Sequence, residues 1–531
     1  MLSKHYEDQL HEVIYQIYPR SFMDSNGDGI GDLGGILQKL DLLRDLGVTA
    51  VWLCPCFQSP CDDNGYDISD YRDTLNDFGT MEDMDRLIEG LHARGMKLFL
   101  DLVPNHTSTE HPWFQASRQG RDNPYSDYYY WFDEPPNDWQ SVFLGSAWAF
   151  DEKRGQYYLH SFAKRQADLN WSNPKVLKEM QDIVDFWVDR GADGFRIDVI
   201  DMIAKDFQEG KNGFGPHLHE YIHALFGREK TKGLFTVGES GVTDIEEMIR
   251  HGAEERGELT TLFLFDHMEC GREDKFTRKP DSMKSLRDRL LHWQRETDAH
   301  DLLHSLFLEN HDQPPMISRI ADDGEKRYES ATDLAAMVYL MKGIPFIYQG
   351  QEIGMTSARY GTISDFDDIE SMNAYREFCQ SMSEREALEK INFGSRDNAR
   401  RPMSWDDSGK GGFTTGTPWI PLHSRHGEIS LEKDLKSERS VWRFYQALLR
   451  LRREHEALVT GRLDVLSSRE DPFLVYTRTL GDERWVIVCN FEEKQQISLP
   501  FPCEAPALAN LSRKTEDGTY LPYECAVARV R

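Results

Sequence analysis

Two carboxylates set the chemistry this chain can do. Asp198 closes the apolar run Gly194-Phe-Arg196-Ile-Asp198-Val199, and Glu239 closes Leu234-Phe-Thr-Val-Gly-Glu239. Two carboxyls facing each other across a bond are what glycoside hydrolysis needs: one ionised as nucleophile, the other protonated as acid. Arg196 lies two residues from Asp198, on the same side of a strand, and is expected to hold that carboxylate ionised. Glu239 has no adjacent cation in sequence, so it is expected to keep its proton nearer the working pH. Two further acidic segments end apolar runs in the same way, Asp101-Leu-Val-Pro-Asn105-His106 and Glu309-Asn-His311-Asp312. Lone acidic strand ends usually cap helices or form salt bridges; four in register point to a site.

Such residues need parallel strands that deliver their carboxyl ends to one place. The runs VIYQIYP (13–19), AVWLCP (50–55) and KLFLDLV (97–103) alternate with helical patterns marked by Ile36, Leu40 and Leu43 and by Met84, Leu87, Ile88 and Leu91. Alternation resumes at Asn173-Pro174, an N-cap followed by proline at the first helical position, with Val176, Met180, Ile183, Val184 and Trp187 on one face. Strands at 194–198, 234–239, 262–267, 304–310 and 344–349 bring the count to eight. The pattern predicts an α/β fold, a (β/α)8 TIM barrel whose catalytic face is the carboxyl end of its strands. The barrel spans 1–104 and 173–455, with a polar excursion over 355–420 after the eighth strand. Residues 105–172, rich in Tyr, Trp, Asn and Asp, read as an inserted subdomain after the third strand. Short alternating runs (FLVYTRTL, RWVIVCNF, QISLP) make 456–531 a C-terminal all-β domain, a β-sandwich.

Bulk properties narrow the partners. The 531 residues carry a formal charge of −29, from 91 acidic and 62 basic side chains. That surface repels nucleic acid and anionic membranes and suits a neutral small molecule. The chain opens MLSKHYEDQLHEV, without a leader pattern, and has no apolar stretch near the ~18 residues of a membrane span. Its eight cysteines are scattered, with no CxxC pair. A cytoplasmic monomer with free thiols is predicted.

The four strand-end segments match, in order, the four signature regions of the α-amylase superfamily (glycoside hydrolase family 13), and the resemblance covers roughly residues 10 to 500. It implies that Asp198 is the nucleophile, Glu239 the general acid/base and Asp312 the carboxylate that stabilises the distorted sugar, with His106, Arg196 and His311 contacting sugar and nucleophile. YQIYPRSFMDSNGDGIGDLGGI, DDNGYDISDY, QADLNW, FDDIES and DNARRPMSW resemble the oligo-1,6-glucosidase group, which includes dextran glucosidases. By that resemblance Asp67 and Arg400 pair to close the pocket around the non-reducing-end glucose, and Tyr66, Phe143 and Phe162 line the same subsite. The implied activity is retaining, exo-acting hydrolysis of α-1,6 bonds in isomalto-oligosaccharides. α-1,4-Glucosidase, trehalose-6-phosphate hydrolase and sucrose or trehalose isomerase are the alternatives within the family. A catalytically dead binding protein, like the amylase-like ectodomains that accompany amino-acid transporters, is the alternative from another class.

Val199 follows the presumed nucleophile, and in this group valine there resembles the mark of α-1,6 preference. A β-branched side chain beside the aglycone is stiff and excludes one linkage's geometry. Asp24-Ser-Asn26-Gly-Asp28-Gly-Ile30-Gly-Asp32 spaces oxygen ligands like the start of an EF-hand loop, with Ile30 offering its carbonyl. Gly35 at the twelfth position rules out an EF-hand proper, but relatives often hold calcium in this loop, so a structural Ca2+ is expected. His160, His217, His219 and His223 read as surface or packing residues. Trp113, Trp131, Trp139 and Trp148 are candidate sugar platforms. Pro315, Ala167, Arg401 and Ser404 depart from the group's pattern, on the aglycone side.

Overall fold

The computed structural model describes residues 3–512 and 518–531. Eight parallel strands form one sheet: β1 (Ile14–Ile17), β2 (Ala50–Leu53), β3 (Lys97–Leu102), β4 (Gly194–Ile197), β5 (Phe235–Glu239), β6 (Thr261–Phe263), β7 (Ser305–Leu306) and β8 (Ile344–Tyr348). Their order is β6-β5-β4-β3-β2-β1-β8-β7, so chain order is kept around a ring in which β8 bonds β1. The seam between β6 and β7 is closed by side chains: Thr261 Oγ1 donates to Leu303 O (2.7 Å) and Ser305 Oγ to Leu262 O (2.6 Å). Hydroxyls bridge the gap where the two short strands lack a ladder.

The helices between strands obey their local signals. Asp32 caps α1 (Leu33–Leu46) by accepting from Gly35 N–H, and Gly47, at φ +109°, ends it in the left-handed region. Thr80 and Asp83 form a capping box at α2 (Met81–His92). α3 (Pro174–Arg190) starts on Asn173 and Pro174, as the sequence predicts, and stops at Gly191 (φ +107°). α4 (Leu218–Phe226), α5 (Ile245–Gly252), α6 (Met283–Ala299), α7 (Arg327–Tyr339) and α8 (Val441–Glu454) follow in turn.

Between β3 and α3 the chain builds its own small sheets, His106–Ser108 with Gln166–Asp168 and a three-stranded sheet of Trp131–Phe132, Gln156–Leu159 and Trp148–Asp151. The polar excursion after β8 contains helices Ile369–Phe378 and Glu384–Gly394 and a short turn of helix at Asp397–Arg400. At the C-terminal end, β9 (Arg462–Val465), β10 (Phe473–Leu480), β11 (Glu483–Asn490), β12 (Leu508–Ala509) and β13 (Cys525–Arg529) form an antiparallel sheet ordered β9-β10-β11-β13-β12. Alternation splits its residues: Leu474, Tyr476 and Ile487 join the barrel's core, while Val475, Val486 and Val488 pack beneath Ile497 and Tyr520. The buried Arg478 ties the sheet to the barrel by donating to the carbonyls of Leu340, Val459 and Gly461. All eight cysteines are free thiols, and among the described residues no helix is long and apolar enough to cross a membrane.

Two carboxyls are buried beneath this core. Glu309, accepting from Met316 N–H (2.9 Å), is pushed up to about 8 by burial, and Glu352, accepting from the Tyr15 hydroxyl (2.6 Å), to about 7. Unfolded, such groups lose their protons near pH ~4.3. The stability they contribute is therefore fully present below that pH and is lost as pH rises through 7 and 8. Across that window each costs about 1.4 kcal/mol per pH unit. Glu309→Gln keeps the acceptor without the titration. Its melting temperature should gain on the wild type between pH 6 and 8 in differential scanning calorimetry; a constant gap would show that Glu309 ionises normally.

A carboxylate cluster at the mouth of the barrel

β4 and β5 are neighbours in register, Ile197 opposite Gly238, so Asp198 and Glu239 emerge side by side at their carboxyl ends. Arg196, 2% exposed, lies between them. One terminal nitrogen of its guanidinium donates to Asp198 Oδ1 (2.7 Å) and Asp101 Oδ1 (2.8 Å), the other to Glu239 Oε2 (2.5 Å). Glu239 therefore does have a cation, one the sequence assigned to Asp198 alone. Adjacency in sequence missed it because the contact crosses from one strand to the next. With three carboxyls around one guanidinium, negative charge exceeds positive. Burial accordingly raises Asp101 to about 6, and it raises Asp198 as well, with Glu239 and Asp101 adding to it; Arg196 opposes this but does not outweigh it, contrary to the expectation that it alone keeps Asp198 low.

A left-handed turn follows Asp198. Val199 has φ 34°, ψ 51°, a conformation costly for a β-branched residue. It turns the Val199 N–H toward Glu239 Oε2 (3.3 Å). Arg196 and this N–H thus hold the same oxygen from two sides.

Across the cluster, His311 and Asp312 follow β7. Gln16 Nε2 lies 2.8 Å from His311 Nδ1, and the Tyr66 hydroxyl 2.6 Å from Nε2. Tyr66 also stacks on the imidazole and donates to Asp101 Oδ2 (3.2 Å). Burial pushes His311 down to about 3 and His106 to about 4, so both are neutral at ordinary pH. His106 bonds the Tyr66 carbonyl (3.2 Å) and packs on Phe162. Burial would raise Asp312, but the charges facing it, His311, Arg400 and Arg396, win and hold it well below the usual carboxylate range. With His311 neutral, the two arginines carry that effect. Side-chain exposures of 8% for Asp198, 21% for Glu239 and 26% for Asp312 leave these three open to a ligand, while Arg196 and Asp101 are sealed beneath.

The pairing of Asp67 with Arg400 is not made. Asp67, fully buried, accepts from Asp62 N–H (2.9 Å), Asp63 N–H (3.1 Å) and the Ser59 hydroxyl (3.0 Å). Arg400 donates to Asp312 and to the His311 carbonyl (3.0 Å). The pair at this place is Asp63 with Arg396, at 3.0 Å, both about 5% exposed. The reason is the turn: Asn64 (φ 50°) and Gly65 (φ 102°) are both left-handed, which aims Asp63 outward and folds Asp67 back onto the turn's own backbone. Arg396 also grips Asp368 (2.6 Å) and lies over the Phe143 ring at 4.8 Å. Asp63 and Arg396 were given no place in the site by the motif reading, and Asp101, which heads a quoted segment, was given no partner. All three sat inside or beside quoted segments, and only spatial pairing distinguishes them from their neighbours.

Phe143 and Phe162, 5.6 Å apart, form one wall of a cleft of about 830 Å³ whose other wall includes Ile369, Asn373 and Arg376. Of the four candidate tryptophans, Trp148 lines it; Trp113, Trp131 and Trp139 do not.

The loop over 24–32 is closed by its own hydrogen bonds. Asp24 accepts from the N–H groups of Asn26, Gly27 and Gly29 and from the Thr414 hydroxyl. At Gly29 (φ +98°) a Cβ would meet Thr417 O at 1.8 Å, so only glycine fits. Asn26 and Asp28 each accept one N–H, from Asp28 and Ile30. Asp32 accepts from Ser25 and Gly35. The donors are all oxygen, as a hard cation prefers, and Asn26, Asp28 and Asp32 keep lone pairs for it.

A parallel eight-stranded barrel with carboxyls gathered around arginines at its carboxyl face is a frame that suits a glycoside hydrolase. Residues 16–461 match the α-amylase catalytic domain, and the chain belongs to that family. It is 47% identical over 510 residues to an oligo-1,6-glucosidase of Parageobacillus thermoglucosidasius, covering 91% of this chain and 90% of that one. It is 44% identical to a glucan 1,6-alpha-glucosidase of Streptococcus pneumoniae, with 91% of each covered. A solved trehalose-6-phosphate hydrolase of Bacillus licheniformis superposes with a TM-score of 0.92 at 38% identity, over 98% of this chain and 99% of that one.

Proposed function

We propose that this α-amylase family enzyme is a retaining, exo-acting α-glucosidase that hydrolyses α-1,6 bonds at the non-reducing end of isomalto-oligosaccharides. The observation that carries the chemistry is the single guanidinium of Arg196 held between Asp198 and Glu239. It ties the two carboxyls to the two ends of one guanidinium, which supports the short separation a double displacement needs. Asp198 attacks the anomeric carbon as the glycosidic C–O bond breaks, and Glu239 gives its proton to the departing oxygen. Water then gives a proton to Glu239, its oxygen attacks the same carbon, and the bond to Asp198 breaks. Asp312, kept ionised by Arg396 and Arg400, faces the positive charge that develops on the ring. Asp63 and Arg396 mark the closed end of the glucose site, in place of Asp67 and Arg400.

The linkage rests on the relatives' α-1,6 activity and on Val199. Initial glucose-release rates on isomaltose and maltose, with trehalose-6-phosphate and sucrose as controls, test it: isomaltose should be cleaved fastest. Val199→Thr should lower the isomaltose-to-maltose ratio of kcat/KM by about tenfold or more, the worth of one methyl-sized change in a tight site. An unchanged ratio would remove Val199 from the linkage argument. Faster cleavage of maltose by the wild type would overturn the α-1,6 assignment and leave the catalytic pair standing.

We also propose that the loop over 24–32 holds a structural Ca2+ through Asn26, Asp28 and Asp32, the carbonyl of Ile30, and Asp24, which would give up one of its four hydrogen bonds to the ion. At a hundredfold excess over its dissociation constant such an ion stabilises by about 2.7 kcal/mol. Adding Ca2+ to chelator-treated protein should raise the melting temperature of the wild type and not of Asp28→Ala. Equal responses would count against the loop.

A further inference from the structure

Outside the catalytic cluster, one other group of ionisable side chains is built like a site. Among the described residues, the only set of three or more His, Cys, Asp or Glu whose ligand atoms lie within 4.8 Å of one another is His219, Glu247 and His251. We propose that these three residues form a second metal site, for Zn2+ or a cation of similar ligand preference, joining α4 to α5 on the flank of the barrel.

The sequence makes the set possible by two spacings. Glu247 and His251 are four apart on α5 and so share a face. His219 stands in the first turn of α4, the helix that links β4 to β5. His219 Nε2 is 3.0 Å from Glu247 Oε1, and a ring nitrogen of His251 lies within 4.8 Å of the ligand atoms of both. Ligands about 2.0–2.1 Å from a tetrahedral metal are separated by about 3.3 Å, so His219 and Glu247 already stand near the spacing zinc imposes, and His251 would complete the set by turning its ring. Two imidazoles and a carboxylate are also the ligand types zinc takes at three-ligand sites.

The surroundings favour a metal over a simple hydrogen bond. Behind His219, Glu258 Oε2 lies 2.7 Å from Nδ1, and its other oxygen is held by Arg256 (2.5 Å). A carboxylate on the far nitrogen is the arrangement that fixes a metal-binding imidazole, since it places the proton on Nδ1 and leaves the Nε2 lone pair toward the ion. That lone pair faces Glu247, a carboxylate, and a cation between them resolves the clash. His251 gives the second, independent observation. Its Nδ1 donates to the Glu247 carbonyl (2.9 Å), which leaves the lone pair on Nε2, and that atom is fully buried with no partner. An unsatisfied buried acceptor is costly, and a metal ligand bond is one way to satisfy it. His219 and Glu247 are each 19% exposed, which gives an ion a way in.

The alternative is a proton in the same place: an imidazolium at His219 bridging Glu247 and Glu258. Metal binding by the full-length protein separates the two. After dialysis against chelator, the wild type should take up one Zn2+ per chain by calorimetry, and Co2+ in its place should give the visible absorption of a tetrahedral site. His219→Gln and Glu247→Gln should weaken the affinity at least tenfold. Glu258→Gln, which touches the ion only through His219, should weaken it about 10–100-fold. Asp28→Ala, in the calcium loop, should leave it unchanged. No zinc uptake by the wild type, or equal uptake by His219→Gln, would overturn the site and leave the bridging imidazolium.

Discussion

Asp198→Asn should abolish glucose release while the protein stays folded. The amide keeps the shape of the carboxylate, and its oxygen can still accept from Arg196. It cannot form the glycosyl ester, so turnover should fall by about four orders of magnitude or more, the scale seen when a covalent nucleophile is removed. Stability should hold or rise. The substitution removes one of three buried carboxyls that share a single guanidinium, and Asp198 is already raised by its burial and by its acidic neighbours. Calorimetry and steady-state rates on one preparation separate the two effects. Glu239→Gln should differ in kind. It loses the proton donor, worth about 10²–10⁴-fold, and the loss should shrink on an aryl glucoside whose leaving group needs no proton. Retained activity in Asp198→Asn would sink the assignment of the nucleophile.

The barrel and its cluster were legible because strand ends are local. An apolar run closed by a carboxylate places that carboxylate on the catalytic face, whatever the rest of the chain does. Strand order in the sheet then brought Asp198 beside Glu239 without further information. Partners were less legible than positions. Arg196 was paired with Asp198 from their spacing, yet its other nitrogen crosses to Glu239, and nothing in either segment records that. The Asp67 and Arg400 error has the same origin. Five residues from 63 to 67 contain two carboxylates, and which one faces the pocket is decided by two consecutive left-handed residues, Asn64 and Gly65. Val199 shows the limit again: its identity was noticed, but its left-handed backbone, which brings its N–H to Glu239, is not encoded by a valine. His219 read as a surface or packing residue because the helices that bring it to Glu247 and His251 are separate in sequence.

Arg396→Met should be the most destabilising single change at the glucose site, and comparing it with Asp63→Asn tests the corrected pairing. Arg396 faces Asp63 at 3.0 Å, Asp368 at 2.6 Å, and Asp312 and Glu370 at 3.5 Å each. Removing it leaves Asp63 with no ion pair and Asp368 with only Arg400, at 4.0 Å, for which about 3–5 kcal/mol of stability is the expected loss. Asp63→Asn leaves Arg396 three acidic partners, so its cost in urea unfolding should be well below that. Its effect should appear in KM instead, since the polar end of the glucose site loses its charge. Asp67→Asn disturbs the turn that aims Asp63, by setting its amide NH2 against the N–H of residue 62 or that of residue 63. It should therefore lower stability and raise KM together. Had Asp67 and Arg400 been the pair, Asp63→Asn would be nearly silent in KM. The ranking also shows why the charges are buried at all: a guanidinium with four acidic neighbours is a poor source of stability but a rigid one. What it fixes is the position of Asp312, the carboxylate proposed to face the sugar.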